Sequence, residues 1–125
     1  MTIKTQKILI VEDSKDFLMV LKQGLIKEGF VVLTTEDGDD GLVLAKKENP
    51  DLIIADIVMP TMDGITMAKK LKEDNINIPI IFLTNISDAK HIRDALEAKI
   101  ELDYIVKSDL NIDGIVDIVK SKLNL

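Results

Sequence analysis

Five side chains that could take part in a reaction or bind an ion lie at the ends of short apolar runs in the sequence. They are three carboxylates, one hydroxyl and one ammonium: Glu12, Asp13, Asp56, Thr84 and Lys107. Carboxylates that crowd together repel one another, so such a group persists where a cation binds. Oxygen ligands without thiolate or imidazole favour a hard ion, Mg²⁺ or Mn²⁺, over Zn²⁺. A hydroxyl and a lysine beside them can hold phosphoryl oxygens, which indicates phosphoryl transfer to a carboxylate with Asp56 as the nucleophile.

The elements that must position these side chains are indicated by apolar runs that alternate with amphipathic segments. The runs are short and apolar at almost every position, which is typical of strands covered on both faces. They are Ile8–Val11, Val31–Thr34, Leu52–Ala55, Ile78–Leu83 and Tyr104–Val106. Helical spacing follows each run: from the Ser14 cap to Gly29, from Gly38 to Glu48, from Asp63, from about Ser87, and over Ile112–Leu123. The pattern predicts an α/β fold, a doubly wound five-stranded parallel sheet whose ligands bind beyond the carboxyl ends of the strands.

The composition excludes several classes of protein. The 125 residues suffice for one core, and we expect a single domain over residues 1–125 with no output domain. The absence of cysteine excludes disulfide scaffolds and thiolate zinc sites. The net charge of -6 argues against direct nucleic-acid binding. No apolar run approaches the ~20 residues of a membrane span, so we expect no membrane association and a cytoplasmic location.

The segment Ile53–Gly64 resembles the phosphoacceptor motif of bacterial response-regulator receiver domains, an Asp followed by Met-Pro-x-Met-Asp-Gly. The acidic pair, Thr84 and Lys107 occur in the order and at the separations of that family, and the resemblance covers nearly all of the chain. It implies a flavodoxin-like (βα)5 fold and a role in two-component signalling. It also implies a signalling protein rather than an enzyme, one that catalyses only its own phosphorylation and dephosphorylation.

The resemblance implies a role for each residue of the acidic site. Asp56 would accept the phosphoryl group from a histidine kinase or a histidine phosphotransfer protein. Asp13 would bind Mg²⁺ directly, Glu12 would do so mainly through water, and Asp56 and the carbonyl of Val58 would complete the protein ligands.

The resemblance also implies how the signal would leave the site. Lys107 would pair with the acceptor carboxylate and then with the phosphoryl group, and Thr84 would bond a phosphoryl oxygen. Tyr104 matches the aromatic residue whose rotamer reports that event. The change would alter the face formed by the fourth helix, the fifth strand and the fifth helix, which a downstream protein or a second copy of the chain would bind.

The sequence departs from the family pattern in four places, and one further function stays open. Glu12 replaces the usual Asp, Asn85 replaces a small residue, and Ser108 replaces the proline after Lys107. The pair Lys99-Ile100 replaces the common Gly-Ala before the fifth strand. Because a cis bond before a residue other than proline costs about 2.5–4 kcal/mol, we expect the Lys107–Ser108 bond to be trans. A phosphatase of the haloacid-dehalogenase type would need an aspartate where Val58 stands. The remaining alternative is a receiver-fold scaffold that binds partners without phosphate.

Overall fold

The computed structural model describes residues 5–85, 93, 103–109 and 111–125. Its strands are β1 (Lys7–Val11), β2 (Val31–Thr35), β3 (Leu52–Asp56), β4 (Ile80–Thr84) and β5 (Asp103–Val106). Its helices are α1 (Lys15–Lys27), α2 (Gly38–Glu48), α3 (Gly64–Glu73) and the C-terminal helix α4 (Ile112–Lys122), with a 3₁₀ turn over Lys107–Asp109. Of the helix predicted from about Ser87, the structure describes Arg93, which is helical, and the other residues fall outside the described part of the chain.

All five strands are parallel and lie in the order β2-β1-β3-β4-β5. The predicted five-stranded parallel α/β sheet is therefore confirmed. The chain leaves β1 toward β2 on one side and returns to β3 on the other. This reversal opens a crevice beyond the carboxyl ends of β1 and β3, which is where open α/β sheets bind ligands.

Two apolar layers hold the helices on opposite faces of the sheet. One layer packs α1 and α4 against alternate strand residues, including Ile8 and Ile10. The other packs α2 and α3 against the intervening residues, including Leu9 and Val11. The four apolar residues of β1, Ile8–Val11, are fully buried, as expected for a strand that is covered on both faces.

The strand bounds differ from the prediction mainly at β4. The apolar run starts at Ile78, but the strand begins at Ile80. Pro79 has no backbone N–H to give to a sheet ladder, although its carbonyl accepts a hydrogen bond from Ile53 N at 3.0 Å. Within the described residues, no helix has both the length and the apolar character that crossing a membrane requires.

Candidate functional site

Asp56 is the last residue of β3 and lies at the crevice, with only 3% of its surface exposed. Its Oδ2 accepts a hydrogen bond from Lys107 Nζ at 2.7 Å. Its Oδ1 accepts one from the backbone N–H of Val58 at 3.3 Å. Both oxygens are thus oriented by groups that lie at the carboxyl edge of the sheet.

The loop after β3 turns back tightly onto Asp56. The Asp63 carboxylate caps α3 by accepting a hydrogen bond from Thr66 N at 2.7 Å. Gly64 N donates to Ile57 O at 2.8 Å, and a Cβ at Gly64 would stand 2.3 Å from the backbone oxygen of Asp56. The Asp63-Gly64 pair therefore begins α3 and permits the close approach of this helix to Asp56.

The three predicted carboxylates converge. Glu12, Asp13 and Asp56 each offer an oxygen within 4.8 Å of the others. Glu12 is fully buried while Asp13 is exposed, so the group opens to solvent on the Asp13 side. An all-oxygen set that keeps an open side fits Mg²⁺, which prefers carboxylates and retains several waters.

Lys107 lies between the two buried carboxylates. Its Nζ is 2.7 Å from Glu12 Oε1 and 2.7 Å from Asp56 Oδ2. The contact between Lys107 and Glu12 Oε1 is an ion pair whose angle lies outside hydrogen-bond geometry. The other carboxylate oxygen, Glu12 Oε2, accepts a hydrogen bond from Ser14 N at 3.2 Å. The sequence predicted the pairing with Asp56 but not the pairing with Glu12. The extra methylene of Glu12 relative to aspartate was the available signal, since it lets the carboxylate reach the lysine.

The ionisation of this cluster is strongly perturbed. Burial raises the pKa of Glu12 to about 7, against the lowering effect of Lys107 and with a further rise from the charge of Asp56. Burial likewise raises the pKa of Asp56, although Lys107 opposes that shift. For Lys107, burial acts to lower the pKa, but the contacts with Asp56 and Glu12 outweigh it and raise the pKa. One lysine thus compensates incompletely for two buried carboxylates.

The predicted switch residues lie on adjacent strands. Thr84 ends β4, is 1% exposed, and donates its hydroxyl to the backbone oxygen of Asn85 at 3.0 Å. Tyr104 is the second residue of β5, and its side chain is half exposed. The Lys107–Ser108 bond is trans, because the described residues contain no cis peptide bond, and that prediction is confirmed.

The sequence does not indicate one aromatic side chain that lies at the site. The Phe17 ring lies 5.2 Å from Lys107 Nζ, measured to the ring centroid. Phe17, Leu21 and Leu25 recur at helical spacing, which is typical of the buried face of a helix, and Phe17 does pack against the core layer beneath α1. The spacing carries no signal that the same ring faces a lysine 90 residues further along the chain.

Comparison with known protein families identifies the family of this chain. Residues 8–120 match the family model described as the response regulator receiver domain. The chain belongs to the response regulator receiver domain family. As a receiver domain it is a module of two-component signalling, in which receivers work with histidine kinases and effector domains.

Individual relatives agree with this membership. The receiver is 35% identical over 119 residues to the chemotaxis protein CheY of Bacillus subtilis, and the match covers 94% of this chain and 98% of that protein. It is 38% identical over 79 residues to the alkaline phosphatase synthesis transcriptional regulatory protein PhoP of the same organism. That match covers 63% of this chain but only 33% of PhoP, so the receiver resembles one part of that relative.

Solved structures give the same fold. A CheY-like response regulator receiver domain protein from Methanospirillum hungatei superposes with a TM-score of 0.86 at 27% identity, covering 97% of this chain and 95% of that one. The signal receiver domain of a histidine kinase from Syntrophus aciditrophicus superposes with a TM-score of 0.85 at 33% identity, covering 96% and 91%. The flavodoxin-like receiver fold is therefore confirmed.

The raised pKa of Glu12 predicts a pH-dependent stability in the absence of metal. Between the ordinary value of 4.5 and about 7, the folded protein holds a proton on Glu12 that the unfolded chain has released. The free energy of unfolding should therefore fall as pH rises through this window. Glu12→Gln removes the ionisable carboxyl group that causes this pH dependence. In urea unfolding without Mg²⁺, the variant should gain stability relative to the wild type between about pH 5 and about pH 8. If the difference in unfolding free energy between the variant and the wild type stayed constant with pH, the raised pKa of Glu12 would be contradicted.

Proposed function

We propose that Asp56 accepts a phosphoryl group from a histidine kinase or histidine phosphotransfer protein in a Mg²⁺-dependent reaction. One Asp56 oxygen forms a bond to phosphorus while the bond from phosphorus to the donor imidazole breaks, and the imidazole takes up a proton. The observation that carries the proposal is the pairing of a 3%-exposed Asp56 with Lys107 at 2.7 Å inside a carboxylate cluster. The receiver acts on itself and not on a separate substrate.

Residues around Asp56 divide the work of the transfer. Lys107 already contacts Oδ2, so its ammonium is placed to follow the negative charge from the carboxylate to the phosphoryl group. The Val58 N–H, 3.3 Å from Oδ1, orients the other oxygen. Thr84 lies buried at the end of the adjacent strand and would donate its hydroxyl to a phosphoryl oxygen.

The carboxylate cluster is proposed to hold the metal. Asp13, Asp56 and the carbonyl of Val58 would bind Mg²⁺ directly, and the buried Glu12 would bind mainly through water; Mn²⁺ would fit the same oxygens. When bound, the ion neutralises charge that develops on the phosphoryl oxygens. Glu12 meanwhile keeps Lys107 beside the acceptor through their 2.7 Å ion pair.

Metal binding should respond differently to the two neighbouring acids. Asp13→Asn removes an exposed direct ligand, whereas Glu12→Gln changes a group already paired with Lys107. We expect Asp13→Asn to weaken Mg²⁺ affinity by at least about tenfold, since loss of an outer-shell partner alone typically costs that much, and Glu12→Gln to weaken it less. Calorimetric titration measures both, with the exposed Asp16→Asn as the control. Mg²⁺ at 100 times its dissociation constant should also stabilise the wild type by about 2.7 kcal/mol. Equal losses in the two variants would contradict the ranking.

We propose that the signal leaves through Thr84 and Tyr104. Drawing Thr84 toward a phosphoryl group would free space for the half-exposed Tyr104 ring to turn inward. The face that includes β5 and α4, together with the helix predicted before β5, would then bind a downstream protein or a second copy of the chain. A phosphorylation free energy of a few kcal/mol suffices to shift such a two-state equilibrium.

Tyr104→Ala should separate phosphorylation from this output. We expect phosphoryl incorporation within about twofold of wild type, because the half-exposed Tyr104 ring has no proposed part in the transfer. Amide NMR shifts in β5 and α4 that accompany wild-type phosphorylation should be largely lost in the variant. Shifts of wild-type size in Tyr104→Ala would contradict the role of the ring.

Incubation with acetyl phosphate tests the proposed reaction, since it needs no cognate kinase. The wild type should gain one phosphoryl mass per chain in Mg²⁺ and none when the metal is chelated. The phosphate-independent scaffold, which would also keep the receiver fold, predicts no incorporation under either condition.

A further inference from the structure

Beyond the family's acidic site, the structure brings an aromatic ring to the lysine. Phe17 lies in the second half of the first turn of α1, the helix that follows Glu12 and Asp13. Its ring centroid is 5.2 Å from Lys107 Nζ. This distance is within the ~6 Å over which an aromatic face attracts a cation.

The Lys107 ammonium has the Phe17 ring as a neighbour in addition to the two carboxylates. An ammonium has three N–H donors, and Lys107 contacts one oxygen of Glu12 and one of Asp56. The lysine side chain is 17% exposed and Phe17 is partly buried, so the contact is partly shielded from solvent. A partly desolvated cation gains more from an aromatic face than an exposed one does.

An aromatic face also differs from a third hydrogen-bonding partner. It attracts positive charge without fixing an N–H in one direction, whereas a carboxylate or carbonyl would compete for a donor. Lys107 can therefore turn a donor from Asp56 toward an arriving phosphoryl oxygen while remaining against the same ring.

We infer that Phe17 is a positioning residue for the phosphoryl transfer, because its ring holds the Lys107 ammonium at the acceptor carboxylate. This inference rests on the proposed function. Packing alone is the competing explanation, since Phe17 also contributes to the core layer beneath α1. The two explanations separate when the aromatic ring is removed but the apolar bulk is kept.

The test compares Phe17→Leu with Phe17→Tyr. Phe17→Leu should lower the rate of phosphoryl incorporation from acetyl phosphate about 3- to 10-fold at saturating Mg²⁺, as expected for a partly buried cation–aromatic contact. Phe17→Tyr keeps the ring and should stay within about twofold of wild type. Leu18→Ala is the packing control, because Leu18 packs against the same layer. It should lower thermal stability with little effect on the rate.

A spectroscopic measurement on unphosphorylated protein tests the contact itself. The ring current of Phe17 should shift the proton resonances of the Lys107 ε-methylene, and this shift should vanish in Phe17→Leu but persist in Phe17→Tyr and Leu18→Ala. Unchanged resonances in Phe17→Leu, or equal rate losses in the leucine and tyrosine variants, would overturn the inference. Failure of the wild type to take up phosphate would instead overturn the proposed function. The Lys107 ε-methylene resonances would still test the contact between Phe17 and Lys107.

Discussion

Replacing Asp56 with asparagine should abolish phosphoryl incorporation altogether. The amide keeps the shape of the side chain but lacks the anionic oxygen that must bond to phosphorus. Asp56 is 3% exposed and its pKa is raised by burial, so removing its charge should also relieve repulsion with Glu12. The variant should therefore be at least as stable as the wild type without metal, which separates lost chemistry from lost folding.

A carboxylate just before the same strand provides the control. Asp51 immediately precedes β3, and its Oδ2 accepts a hydrogen bond from Lys7 N at 2.8 Å, which an asparagine oxygen can also accept. Asp51→Asn should take up phosphate at the wild-type rate. Intact-mass measurement over time reads out both variants. Wild-type uptake in Asp56→Asn would contradict the assignment of the acceptor.

Lys107→Met should have the largest effect on stability and a large effect on rate. It leaves Glu12 and Asp56 buried without their shared cation, and breaking such a pair typically costs about 3–5 kcal/mol. The loss should be greater above about pH 7, where Glu12 is charged in the wild type, than near about pH 5. Mg²⁺ should restore part of the stability, because the ion supplies positive charge to the same oxygens.

The same variant should slow phosphorylation about 10²-fold or more, since one preorganised charge is missing where charge develops. Lys120→Met is the matched control. Lys120 forms an exposed ion pair with Glu28 at 3.0 Å, and such surface pairs contribute about 0–1 kcal/mol. Denaturant unfolding and acetyl phosphate kinetics compare the two. A Lys107→Met protein that behaves like Lys120→Met in both measurements would contradict the role of the lysine.

The features predictable from sequence were those set by local pattern and chain order. Ile8–Val11 is apolar throughout because it is covered on both faces, and that pattern identified β1 within one residue. The convergence of Glu12, Asp13 and Asp56 followed from parallel strands sharing one edge. The start of β4 was missed by two residues because apolar character extends through Pro79, which the sheet ladder excludes.

The contacts that the sequence did not predict depend on side-chain length and on how distant segments pack in three dimensions. The contact of Glu12 with Lys107 depends on glutamate's length, and the contact of Phe17 with Lys107 depends on the angle at which α1 leaves β1. No rule of residue spacing in the sequence predicts either contact. The close approach of Gly64 to the Asp56 carbonyl is similar: the motif shows a glycine, but only the three-dimensional loop shows what a Cβ would strike.

Direct chemical localisation of the phosphoryl group tests the central claim. After incubation with acetyl phosphate and Mg²⁺, borohydride reduces an aspartyl phosphate to homoserine. Trypsin then releases the peptide Glu48–Lys69, which contains Asp56 together with the internal controls Asp51 and Asp63. Fragmentation of this peptide should place homoserine at position 56 alone, and only when Mg²⁺ was present. Homoserine at position 51 or 63, or none anywhere in the wild-type chain, would contradict Asp56 as the phosphoacceptor.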